Sequence, residues 1–153
     1  MLGWRKRHGG RNVIRKMQTK DASAVSRICT EAMGYPAQED QVRQRIAELE
    51  NDPAYFLVVA EQDGEAVGFL QAQKYDVLYA GRGWNIISLA VAPERQKTGL
   101  GRQLLEALEV HAANTGSDFI RLNSRIERED AHAFYCHMGY QCDKTQKRFV
   151  KKL

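Results

Sequence analysis

Gln96, Gly99 and Gly101, with Lys97, Thr98 and Arg102 around them, stand just after an apolar run, Leu89-Ala90-Val91-Ala92, that breaks at Pro93. Leu100, Leu104, Leu105, Leu108 and Ala112 then recur at the spacing of one helical face, so a helix must begin at about Gly99. The first amides of such a helix have no acceptor within it, and its dipole is positive at that end. Glycine at 99 and 101 lets a phosphate reach those amides without meeting a Cβ, and Lys97 and Arg102 add mobile positive charge. The chemistry implied is the holding of a phosphate ester by backbone N–H groups. Two common phosphate loops are excluded by residue type: the Gly-Lys-Ser/Thr ending of a nucleoside triphosphate loop is missing, and Gly99-Leu100-Gly101 lacks the third glycine of a dinucleotide-binding turn. On spacing alone, a strand-to-helix turn with glycines for close packing is the competing account.

The elements that position this loop can be read along the chain. Asn12 to Met17 alternates as a first strand, and Thr19 or Asp21 can cap a helix carrying Ala22, Val25, Ile28, Cys29 and Ala32 on one face until Gly34-Tyr35-Pro36. A second helix is predicted over Glu39 to Glu50, on the stripe Val42, Ile46 and Leu49. Tyr55–Glu61 and Ala66–Ala72 flank Asp63-Gly64 and read as a hairpin. Residues 74–83 carry little pattern. Trp84 to Ala92 is apolar on nearly both faces, the mark of an interior strand, and Asp118 to Asn123 reads as another strand. Asp130 can cap a short helix on Ala131, Phe134, Tyr135 and Met138, which Gly139 would end before a last hairpin whose final strand is Lys147 to Lys152. Strands and helices in this order imply an α/β sandwich with a mixed sheet.

The 153 residues suit one domain with a sizeable core. We expect a basic N-terminal arm, residues 1–11, and a single folded domain over 12–153. The net charge of +4 is misleading undivided: residues 1–20 hold seven bases and no acid, and the remainder is net negative. Such an arm can touch nucleic acid or a membrane surface, but it carries no recognition motif and reads as a solvated extension, with nucleic acid not expected as a partner. There is no apolar run of membrane-spanning length and no hydrophobic stretch after the basic start, which points to a cytoplasmic protein. Cys29, Cys136 and Cys142 form no disulfide framework, and with His132 and His137 they have no zinc spacing, so no metal is expected.

Gln96-x-x-Gly99-x-Gly101 after a Val91-Ala92-Pro93 strand end resembles the acetyl-CoA pyrophosphate loop of the GCN5-related N-acetyltransferases (GNAT). Ala131-His132-Ala133-Phe134-Tyr135-Cys136-His137-Met138-Gly139-Tyr140 is similar to the A-x-x-F-Y-x-x-x-G-F/Y signature that ends these domains. The likeness covers about residues 12–153. It implies the GNAT-type fold, a mixed central sheet flanked by helices, and transfer of an acetyl group from acetyl-CoA to a primary amine, a small molecule rather than a protein. Arg128-Glu129-Asp130-Ala131-His132-Ala133-Phe134-Tyr135 is also similar to small-amine members such as the aminoalkylphosphonate acetyltransferases.

The resemblance further implies roles. The amides of Gln96, Lys97, Thr98, Gly99, Leu100 and Gly101, with Arg102, would bind the CoA pyrophosphate. The backbone of Leu89, Ala90 and Val91 would pair with the pantetheine arm like an added strand. Asn123 would neighbour the cofactor. Tyr135 matches the family's general acid, a phenol that is protonated at neutral pH and can donate to the departing thiolate; on spacing alone it is a core tyrosine. The carboxylate that often serves as base on the central strand has no counterpart in Trp84-Asn85-Ile86-Ile87-Ser88. Water relayed through Ser88 or Asn85, a carboxylate such as Glu31, and an amine already partly neutral all stay open. Residues 21–80 hold eleven acids and four bases, which could attract a cationic amine or merely solvate helix surfaces. Two other readings compete: a CoA-binding sensor without catalysis, and an acetyltransferase acting on a protein or ribosome-associated acceptor. Relatives of this kind are often homodimers.

Overall fold

A computed structural model describes residues 12–153; the basic arm, residues 1–11, lies outside the described residues. Five strands form one sheet in the order β1 (Val13–Lys16), β2 (Tyr55–Gln62), β3 (Glu65–Asp76), β4 (Arg82–Val91) and β5 (Phe119–Leu122). The first three pairings are antiparallel and β4 runs parallel to β5, so the sheet is mixed as expected. The stretch with little pattern proves to be the end of β3 and the start of β4, joined by residues 77–81. The chain forms two compact units, the first ending at Leu122 and the second running from Asn123 to Leu153.

One face of the sheet is covered by α1 (Ala22–Met33) and α2 (Glu39–Leu49), whose Val25, Ile28 and Ile46 join Leu57, Val59 and Phe69 in a buried cluster. Side chains alternate across a strand, so Gly68, next to Phe69, faces the other way. There α3 (Leu100–Asn114) lies down: a Cβ at Gly68 would sit 3.3 Å from the Leu104 side chain and 3.1 Å from the Ala90 carbonyl. Leu100, Leu104, Leu105 and Leu108 are at most 1% exposed. Each contributes about 1.5–3 kcal/mol by its burial, which fixes α3, and with it the loop at its head, against the sheet.

Below α1, Asp21 is buried, with Arg15 gripping both of its carboxylate oxygens at 2.7 and 2.8 Å. The Gln18 amide donates to the same carboxylate at 2.8 Å. Burial opposes the Asp21 charge, but the Arg15 and Gln18 hydrogen bonds outweigh it and hold the carboxyl below its ordinary range.

In the second unit α4 (Glu129–His137) follows the predicted stripe, and Gly139 at φ 92° ends the turn after it. Asp130 sits in the first turn, not at the cap, which is Arg128. The predicted last hairpin is absent: residues 141–153 belong to no strand and are exposed. The pattern explains the error. In Lys147-Arg148-Phe149-Val150-Lys151-Lys152 the apolar residues are adjacent, so a strand would put one on each face and neither face could be buried as a set. Phe149 is accordingly 88% exposed.

Candidate active site

Residues 93–95 form one 3-10 turn after β4, and the chain then reaches α3 through residues 96–99. Two of these adopt left-handed backbone, Lys97 at φ 61° and Gly99 at φ 86°. Gly99 bears this at no steric cost, and nothing lies within 4 Å of where its Cβ would be. The loop is closed from within: the Thr98 hydroxyl donates to the Arg95 carbonyl, and Gln96 Nε2 donates to the Val91 carbonyl at 3.2 Å. The first helical bond is Gln103 N–H to the Gly99 carbonyl, 3.1 Å. Among the described residues, the amides of Lys97, Thr98, Gly99, Leu100, Gly101 and Arg102 therefore have no acceptor within the protein. Free donors at a helix N-terminus are groups that could cradle an anion.

The neighbouring backbone is open as well. β4 pairs with β3 as far as Gly68↔Val91, but its pairing with β5 stops at Ile86↔Leu122. Ile87 to Val91 thus have no strand partner on the β5 side among the described residues. The register also slips here, from Gln71↔Ser88 to Ala72↔Ile86, so Ile87 is a β-bulge. A bulge re-aims the strand and ends regular pairing, and this one lies at the head of the open edge. Nothing in the residue types of Ile86-Ile87-Ser88 signals it, and sequence reasoning missed it.

Leu89, Ala90 and Val91 lie on that edge, joined to Gln96 to Arg102 through residues 92–95, so these predicted cofactor residues fall in one unit. Their side chains do other work. Ala90 and Leu100 are buried in the core, and the Gln96 amide braces the loop to the strand end, a role its residue type did not announce. Arg102 is exposed, and its Nε is paired with Glu106 at 2.7 Å.

Tyr135 and Asn123 belong to the second unit. Asn123 is exposed in the segment after β5. Tyr135 lies on α4 with its ring edge-on to Phe134 and Tyr140, centroids 5.2 and 5.8 Å away. Burial pushes its phenol up to about 12, with Arg128 pulling the other way, so the hydroxyl keeps its proton at neutral pH. His132 Nε2 lies 2.8 Å from the Arg125 carbonyl, which ties α4 to the preceding loop.

Of the candidates for a base, Asn85 Oδ1 accepts from Arg121 Nη1, and Arg121 stacks over the Tyr75 ring at 4.8 Å. Glu31 is paired with Arg27 at 3.5 Å, and Arg27 also reaches Glu65 and Glu94. On α2, Glu39 and Asp40 are paired with Arg43, and Glu48 with Arg45. Four of the eleven acids in residues 21–80, Glu31, Glu39, Asp40 and Glu48, are therefore held in helix-surface pairs, and the net negative charge of the stretch remains.

The fold that positions this strand and loop is shared with known proteins. The model of the acetyltransferase (GNAT) family matches residues 22–140. An aminoalkylphosphonate N-acetyltransferase of Salmonella typhimurium is 28% identical, over 92% of this chain and 90% of its own length. An uncharacterized N-acetyltransferase of Methanocaldococcus jannaschii is 33% identical, over 91% of this chain and 84% of its own. In structure the chain is similar to an aminoglycoside N-acetyltransferase, AAC(6')-Iy, solved in complex with CoA, with a TM-score of 0.83, 17% identity, and coverage of 96% of this chain and 99% of that one. The chain belongs to the GNAT family of acetyltransferases and is an acetyl-CoA-dependent N-acetyltransferase.

Proposed function

We propose that acetyl-CoA lies along Leu89–Val91 and over Gln96–Arg102, and that the acetyl group passes directly to the primary amine of a small molecule. The observation that supports this most is the run of six amides without an acceptor at the head of α3, beside a strand edge without a partner. The amides would take the pyrophosphate oxygens, and the edge would pair with the amides of the pantetheine arm as an added strand would. Backbone groups near the Ile87 bulge would hold the thioester carbonyl and its oxyanion.

The neutral amine attacks the thioester carbon, the tetrahedral oxyanion collapses, and the C–S bond breaks. The Tyr135 hydroxyl gives its proton to the leaving sulfur, and the nitrogen loses a proton to water or a base. A phenol pushed up to about 12 is fully protonated for that task. Asn123 would stand next to the bound cofactor. For the acceptor, the name of the Salmonella relative favours a small amine that carries an anionic group.

The test is thiol release from acetyl-CoA across primary amines, polyamines, aminoglycosides, amino acids and aminoalkylphosphonates, with calorimetric CoA binding alongside. Turnover on one of these classes is expected. Tight CoA binding with no turnover on any of them would overturn the small-molecule assignment, and no CoA binding would overturn the cradle.

A further inference from the structure

At the other end of α3, about 18 Å from Gly99 at 1.5 Å per residue, the first unit holds a cleft of about 550 Å³ that the acetyl-transfer reading does not use. Its size falls within the range of small-molecule sites. Three rings form its wall. His111 of α3 stacks on Phe56 of β2, centroids 4.8 Å apart, and lies edge-on to Trp84 of β4 at 5.3 Å. Trp84 is fixed in turn, its Nε1 donating to Ser117 Oγ at 3.1 Å.

Three bases and three acids line the cleft, and their placement differs. Strand register places Lys74 beside Trp84, and Asp76 opposite Arg82, on this same face of the sheet, with Lys16 opposite Val58 at its edge. Lys16, Lys74 and Arg82 form no ion pair among the described residues. Asp76 can offset Arg82 across the strand pair. Glu50 and Asp52 stand on the connection between α2 and β2, and Asp52 already accepts the Ala54 amide at 2.9 Å. Lys16 and Lys74 are thus the charges of the sheet face with no acid opposite them in register, while Glu50 and Asp52 keep their charges on the connection at the cleft's rim. Burial first, and then the field of Lys74, push the His111 imidazole below its ordinary range, so it is neutral and has one N–H to donate.

We propose that this cleft binds a small planar aromatic carboxylate, its ring against the Phe56–His111 stack and its carboxylate directed to Lys74 and the His111 N–H. A flat ring is what the stack can extend, and an anion is what an unpaired lysine beside a neutral donor can hold. An amine placed at the same point of the ring would meet Lys74, a like charge.

Benzoate is the probe, with benzylamine and cyclohexanecarboxylate as comparators, titrated into the full-length protein while the His111 ring and Trp84 indole signals are followed by NMR. Benzoate should give saturable shifts at both residues, with the other two compounds about tenfold weaker or more. Lys74→Met, at an exposed position, should keep the fold and weaken benzoate by a similar factor. Equal binding of benzylamine, an affinity for benzoate unchanged in Lys74→Met, or shifts that never saturate would each overturn the assignment. Equal binding of cyclohexanecarboxylate would overturn the role of the ring stack.

Discussion

Among the described residues, the N-terminal end of α3 presents six amides in a row with nothing to donate to, whereas the backbone of its C-terminal end is largely closed. There Thr115 bonds back to the His111 carbonyl through both its amide and its hydroxyl, at 3.0 and 2.8 Å, and the Ser117 amide takes the Ala112 carbonyl at 2.9 Å. At the closed end recognition passes to side chains gathered from β1, β2, β3, β4 and the helix. A site made of backbone depends on the absence of side chains, and many sequences can build it as long as glycine keeps the approach open. A site made of rings and lysines depends on each one, so single substitutions can retune it without disturbing the other end.

The comparison needs a reference at neither end, and Asp21 supplies the largest effect. Asp21→Ala removes both short bonds of the Asp21–Arg15 pair, leaving Arg15 with the longer Glu61 contact at 3.4 Å, and should cost about 3 kcal/mol in urea unfolding, while the acetyl-CoA KM of the folded fraction stays the same. The sign with pH follows from the depressed carboxyl. Its contribution is fully present above the unfolded carboxylate pKa and is lost as pH falls through the lower folded value, so acid unfolding of the wild type, followed by circular dichroism, should steepen below about pH 4.

Tyr135→Phe comes next. It should lower kcat by about 10²-fold and leave the acetyl-CoA KM unchanged, separating proton donation from cofactor holding in steady-state kinetics. With its phenol near 12, Tyr135 does not ionise in the usual assay range, so an alkaline fall in wild-type rate at lower pH would belong to another group.

At the open end, Gly99→Asp adds a Cβ at φ 86° and a negative charge where the phosphate would lie. The acetyl-CoA KM should rise about tenfold, with benzoate shifts at His111 unaltered. At the closed end, Ser117→Ala removes the acceptor of Trp84 Nε1 and should cost about 1 kcal/mol in thermal unfolding, with the acetyl-CoA KM unmoved. If Gly99→Asp changed the cleft, or Ser117→Ala the KM, the two ends would not be separable.

The sites differ in how much of them could be read from the chain alone. The cradle was legible because it is contiguous: a strand end, a proline, two glycines and a helical stripe occur within twenty residues, and each signal is local. The mixed sheet followed for the same reason, since each strand announces its own period. The cleft was not legible, because Lys16, Phe56, Lys74, Trp84 and His111 are neighbours only after four strands have paired and α3 has crossed them. The Ile87 bulge is a property of register between two strands, which no residue type in β4 encodes. The last hairpin failed in the opposite sense: β-prone residues were present, but their order offered no face to bury.

The unpartnered edge of β4 also bears on solubility. An edge with free N–H and C=O groups is a template for another chain's strand, and proteins usually blunt such edges with charge or proline. Ile87–Val91 carries neither before Pro93. A cofactor laid along these residues would occupy the same groups that an aggregating neighbour would use, so acetyl-CoA bound there would act as a chaperone for its own enzyme, and cofactor-depleted protein should be the form that self-associates in storage.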